Sequence, residues 1–177
     1  MRWIVRDLLD FARKSEAQVA PADIGEILRS SLALLSPRRE MRTLEVQLDV
    51  PPDAPPVAID PNQFKQVFVN LFNNAIDAMG DEGRLSVRVR AGTDDVRVDV
   101  ADTGPGISPE GLERVFDPFY TTKARGVGTG LGLSVTHGIV TNHGGAISCS
   151  STLGEGTVFT VRVPMYAAVA SEVSNGR

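Results

Sequence analysis

Apolar residues recur at helical spacing over residues 1 to 17, with Ile4, Leu8 and Phe11 in one line and Val5, Leu9 and Ala12 beside it. So broad an apolar face predicts one helix of a bundle. A second helix is predicted over about 23 to 35, capped by Asp23 and striped by Ile24, Ile27, Leu28, Ser31, Leu32 and Leu35. The period then drops to two at Leu44, Val46 and Leu48, which predicts a strand over about 43 to 49, and a short one follows at 57 to 59 beyond the proline-rich 51 to 56. The longest helix is expected over about 61 to 79, opened by Asp60 as cap and Pro61 in the first position. Alternation returns at Leu85 to Val89 and Val96 to Val100. Residues 101 to 130 read as loop, with turn chemistry at Thr103-Gly104-Pro105-Gly106 and a short helix near 109 to 115. A helix from about 130 to 143 ends at Gly144-Gly145, and strands at about 146 to 151 and 156 to 163 make a hairpin around 153 to 156. The small, polar tail after Pro164 is expected to fray. Helices separated by hairpins predict an α+β fold, a two-layer sandwich whose mixed, mainly antiparallel sheet is covered on one face by helices.

Composition narrows the function. With 42% hydrophobic and 23% charged residues among 177, the chain reads as an ordinary soluble domain with at most an appendage. A net charge of −4, with basic residues scattered, argues against a surface that coats nucleic acid. Any phosphate must be held by backbone, metal and a few selected cations. The single Cys149 excludes an internal disulfide framework and reads as a small strand residue. No apolar run approaches transmembrane length and no signal peptide opens the chain, so the expected location is cytoplasmic without direct membrane contact, whether or not a parent chain is anchored.

Four positions invite chemistry. In Gly126-Val127-Gly128-Thr129-Gly130-Leu131-Gly132-Leu133 every second residue is glycine, so several N–H groups can face one concavity next to a helix N-terminus. The run is either a nucleotide loop or a structural turn, and it is neither a P-loop nor G-x-G-x-x-G. On the longest helix Asn70, Asn74 and Asp77 share one side at i, i+4 and i+7, edging the apolar stripe. They are either surface decoration or a place where the amide oxygens serve as neutral ligands for Mg²⁺. Asp102 continues the apolar row of Val96, Val98 and Val100, and a carboxylate there either caps the following turn or accepts from a ligand such as the adenine amine. Asp99, out of phase, is expected to be solvated. In Phe116-Asp117-Pro118-Phe119-Tyr120-Thr121-Thr122-Lys123 the aromatics anchor the segment and leave Lys123 either free to reach a phosphate or simply solvated. His137 and His143 read as structural.

Taken together, the strings from Asn70 to Ala78, Asp102 to Ile107, Phe116 to Phe119, Gly128 to Leu133 and Gly154 to Thr157 resemble, in order, the motifs of the catalytic ATP-binding domain of bacterial sensor histidine kinases. The nitrogen-regulator-like subtype is the nearest in pattern. The resemblance implies a Bergerat ATP-binding fold over residues 18 to 165, with 1 to 17 the end of a dimerisation and phosphoacceptor hairpin and 166 to 177 a tail. It implies ATP and Mg²⁺ as cofactors, with Asn74 as the metal ligand. It places Asn70, Asn74, Asp77, Asp102, Gly104, Gly106, Ile107, Thr122, Lys123, Gly128, Thr129, Gly130, Leu131, Gly132 and Thr157 at the nucleotide, and gives Asn70 and Lys123 catalytic roles. Asp102 would read adenine with help from Thr157, and a lid over about 117 to 130, loosely ordered without nucleotide, would hold the phosphates. Where related ATPases carry a glutamate as base, this chain has the amide Asn70, so fast self-contained hydrolysis is not expected. The family's phosphoacceptor histidine motif is absent, which implies a fragment of a longer, homodimeric kinase, inactive alone, whose partners are a hairpin histidine and a response-regulator receiver domain. The competing reading is a nucleotide-switched regulatory module of the same fold.

Overall fold

The computed structural model describes residues 17–123 and 128–166. The helix expected over residues 1 to 17 falls almost wholly outside them, as does most of the tail. A short strand β1 (Ala20–Ala22) leads into helix α1 (Ile24–Leu35), a 3-10 turn (Glu40–Arg42), β2 (Glu45–Asp49) and β3 (Val57–Ile59). Helix α2 (Pro61–Met79) follows, then the hairpin β4 (Arg84–Ala91) and β5 (Asp95–Asp102), the single turn α3 (Pro109–Leu112), helix α4 (Gly132–Asn142), and the hairpin β6 (Ala146–Thr152) and β7 (Gly156–Pro164).

Both long helices start where a carboxylate meets free amides. Asp23 Oδ1 accepts from the N–H groups of Gly25 and Glu26, and Asp60 Oδ1 from those of Asn62 and Gln63. Asp60 does more than cap: its Oδ2 takes the Gln18 N–H, and its own N–H donates to His143 Nε2. The other ring nitrogen of His143 lies 2.8 Å from the Ile139 carbonyl, so this buried imidazole donates there and accepts from Asp60, edge-on to Phe64. His143 is thus structural, as expected, and crosslinks α2 and α4.

The main sheet runs β2-β4-β5-β7-β6, antiparallel except for β2 beside β4. Its inner rows, Leu85, Val87 and Val89 on β4, Val96, Val98 and Val100 on β5, and Phe159, Val161 and Val163 on β7, are buried against Phe64, Val67, Phe68, Leu71, Phe72 and Ile76 of α2. The two layers predicted from periodicity are present. Four details differ. Strand β1, the tripeptide Ala-Pro-Ala, carries no periodic signal and exists by pairing with β3. The helix expected at 109 to 115 stops at Leu112, and α4 starts at Gly132 because the Gly130 carbonyl is taken by the Phe119 N–H and Leu131 serves as the N-cap. Asp99 lies on the outer face as expected but is not freely solvated: its side chain is 15% exposed, clasped by Arg97 at 2.8 Å and by the Thr160 hydroxyl at 2.7 Å.

Candidate functional site

Helix α2 runs lengthwise under the candidate site, and three of the other motif strings touch its edge in succession. Asn70 Nδ2 donates to the Gly132 carbonyl at 3.2 Å and lies 3.4 Å from Thr136 Oγ1, which ties the N-terminus of α4 to the helix. One turn further, Asn74 is half-buried and its side-chain amide has no hydrogen-bond partner among the described residues. Asp77 Oδ2 receives the Lys123 ammonium at 2.6 Å. A Cβ added to Gly104 would sit 3.1 Å from the Ala78 methyl, so the turn after β5 packs on the helix's last residues.

Asp102 ends β5 inside the core face, 8% exposed. Its Oδ1 accepts the Gly104 N–H at 2.9 Å, so the carboxylate does cap its turn. Burial pushes its pKa up, and the Gly104 and Thr157 backbone amides only partly offset this. Thr157 is its cross-strand partner on β7 and is equally buried. The sequence did not point to Ser151, whose hydroxyl receives the Ile107 N–H, donates to the Gly156 carbonyl and meets Thr157 Oγ1 at 3.0 Å. Together with the Gly154 N–H on the Pro105 carbonyl, it fastens the 104–107 turn to the last hairpin. Gly106 has φ +74°, and any Cβ there would run into the Thr152 carbonyl. Cys149 packs on the same core, and burial followed by the Asp102 charge pushes its thiol up to about 12. It is therefore a neutral strand residue.

Residues 124 to 127 of the glycine run and the expected lid lie outside the described residues. The expectation of a loosely ordered lid falls partly on them; of its described part, Asp117, Pro118, Phe119, Thr121 and Thr122 are exposed, while its two ends are joined. Phe119 N–H donates to the Gly130 carbonyl at 2.9 Å, both residues have positive φ, and Leu131 is buried. Thr129 Oγ1 takes the Leu131 N–H, Gly128 lies against Thr121 and Lys123, and Thr122 is exposed. Lys123 is not free either. It shares Asp77 with Arg38, a residue from the loop after α1 that sequence reading passed over, whose guanidinium also donates to Asn73 Oδ1 at 2.7 Å. Burial alone would raise the Asp77 pKa, but Lys123 and Arg38 outweigh it and hold the carboxyl below its usual range.

This frame coincides with known proteins. The profile described as histidine kinase-, DNA gyrase B-, and HSP90-like ATPase matches residues 59–167. The chain belongs to this family. Sensor histidine kinase ZraS of Salmonella typhimurium is 38% identical over 165 residues, covering 93% of this chain and 35% of ZraS, so the chain spans about a third of that relative. A structure of full-length ShkA in complex with AMPPNP has a TM-score of 0.80 at 31% identity, over 93% of this chain and 36% of that one. The catalytic domain of histidine kinase ThkA has a TM-score of 0.75 at 32% identity, over 84% of this chain and 96% of that one. ThkA in complex with its response regulator TrrA has a TM-score of 0.78 at 28% identity, over 93% of this chain and 47% of that one. The chain is thus the catalytic ATP-binding part of a sensor histidine kinase.

The side chains suit a nucleotide with its metal. A buried carboxylate at Asp102 is an acceptor fixed before a base arrives, and the unpartnered Asn74 amide offers a neutral oxygen. Among the described residues no group of three or more His, Cys, Asp or Glu could hold a metal by itself. A cation held here would therefore depend on phosphate and water for most of its shell.

Proposed function

We propose that this kinase domain transfers the γ-phosphoryl group of Mg-ATP to a histidine on a separate hairpin domain of its parent protein, for relay to a response-regulator receiver. The observation that carries the reading is the alignment along α2: Asn70 against α4, Asn74 unpartnered, Asp77 with Lys123, and Ala78 beneath the Asp102 turn. In this reading Asp102 accepts from the adenine amine, Thr157 and the 104–107 turn shape the base site, and Gly128 to Gly132 approach the phosphates. Asn74 is the side chain that would hold Mg²⁺, whose chemistry when bound is to neutralise charge on the phosphates. Lys123 supplies a point charge at their terminus. Asn70 holds the start of α4 and, as an amide, takes no proton from water, which favours transfer to an external imidazole over hydrolysis. The domain division at residues 17/18 and 165/166 and the nitrogen-regulator-like subtype belong to the same proposal.

The test mixes the chain with Mg-ATP and separately made phosphoacceptor hairpins. An acid-labile label on a hairpin is expected. ATP binding without label on any cognate hairpin would sink the transfer reading in favour of a nucleotide-switched regulatory module.

A further inference from the structure

Asp77 is placed where an anion should be a disadvantage. It lies three residues past Asn74 on α2, about one helical turn from the proposed metal ligand, in a site argued to take a polyanion. Its two oxygens are used separately: Oδ2 holds Lys123 at 2.6 Å and Oδ1 holds Arg38 at 2.7 Å, each side chain about a third exposed. Arg38 is itself fixed by Asn73 at 2.7 Å and by Glu40 at 3.4 Å. One cation can therefore leave Asp77 without disturbing the other.

We infer that Asp77 competes with the terminal phosphate for Lys123, and that Arg38 is a positioning residue that keeps Asp77 neutralised once the lysine has been taken. The inference rests on the reading in which Lys123 contacts that phosphate. A terminal phosphate carries more charge than one carboxylate, so it wins the lysine, whereas a nucleotide lacking it leaves Lys123 on Asp77. Without Arg38 the carboxylate would hold Lys123 more tightly and repel whatever phosphate approached. The pair thus makes triphosphate binding a trade between anions, and two neighbouring residues acquire opposite effects on affinity.

Calorimetric titration of the whole chain with Mg-ATP and Mg-ADP tests this. Exposed to half-buried ion pairs exchange at a few-fold in affinity, so Asp77→Asn is expected to tighten ATP about 2- to 5-fold and leave ADP within about 2-fold. Asp77→Glu, which keeps the charge, should not reproduce the tightening seen with Asp77→Asn. Arg38→Ala should weaken ATP about 2- to 5-fold, and adding Asp77→Asn should cancel that loss. In a Lys123→Ala background Asp77→Asn should tighten nothing. Far-ultraviolet circular dichroism on each variant confirms the fold. ATP binding that Asp77→Asn leaves unchanged or weakens, or that shifts equally for ADP, overturns the competition alone. Failure of the unaltered chain to bind ATP overturns the phosphotransfer reading and this role with it.

Discussion

In the proposed base site a single carboxylate carries much of the chemistry. Asp102 is buried with its pKa raised, so relative to the unfolded chain its stabilising contribution is present at low pH and is lost as pH rises through the folded value. Its charge at neutral pH therefore costs stability, and the compensation expected is ligand recognition. Asp102→Asn keeps an oxygen for the Gly104 N–H, so the melting temperature at neutral pH should not fall, while ATP affinity should drop at least about tenfold because a charged acceptor is lost. Acidifying the unaltered protein from pH 7 into the range above ordinary carboxylate values should weaken ATP binding as Asp102 takes a proton. That acid limb should be missing in Asp102→Asn, and an identical limb in both proteins would assign it elsewhere. Asn74→Ala makes a narrower point: it should abolish most of the Mg²⁺ dependence of ATP binding by calorimetry, and unchanged dependence would remove Asn74 as a ligand. Asp102 was legible in the sequence because a carboxylate on an apolar row violates the strand's own pattern. Arg38 was not, because its partners Asn73 and Asp77 are 35 and 39 residues away and nothing about a polar loop marks it.

Among the elements, α2 is the one that both the chain order and the site depend on. Its limits were readable to the residue, since Asp60-Pro61 opens it and the apolar stripe from Phe64 to Ile76 runs unbroken. Asp60→Ala removes the cap on two amides and the bond to Gln18, and should lower unfolding stability by about 1 to 2 kcal/mol in urea titration. Phe68 is fully buried between Phe64 and Phe72, and Phe68→Ala should cost about 3 to 5 kcal/mol by the same measurement. The start of α4 was misplaced for a physical reason: the Phe119 N–H takes the Gly130 carbonyl, and a Cβ on Gly130 would meet Phe119 Cα at 2.7 Å. Local glycine spacing announces a helix entrance two residues early, and only the long-range contact moves it. Strand β1 was invisible for the complementary reason, since three residues hold no period and pairing alone makes them a strand.

For the whole molecule, the layered architecture followed from the period of apolar residues because every buried row of the sheet faces the same helices. The site's assembly did not follow from period at all, and it came instead from the order of motif strings, each too short to be specific alone. The final hairpin shows why the two levels are tied. Asp102 and Thr157 face each other only because β5 and β7 pair in one register, and Gly156 lets the Asp102 carbonyl approach where a Cβ would collide with it. A slip of one residue would turn Thr157 to the outer face and set another residue opposite the carboxylate. With the base read by Asp102 as proposed, nucleotide would add its binding free energy only to chains paired correctly, by an amount that grows with its concentration over Kd. On the proposed base contact, ATP would act as a proofreader of this strand pairing, rewarding the native register before any phosphoryl group is moved.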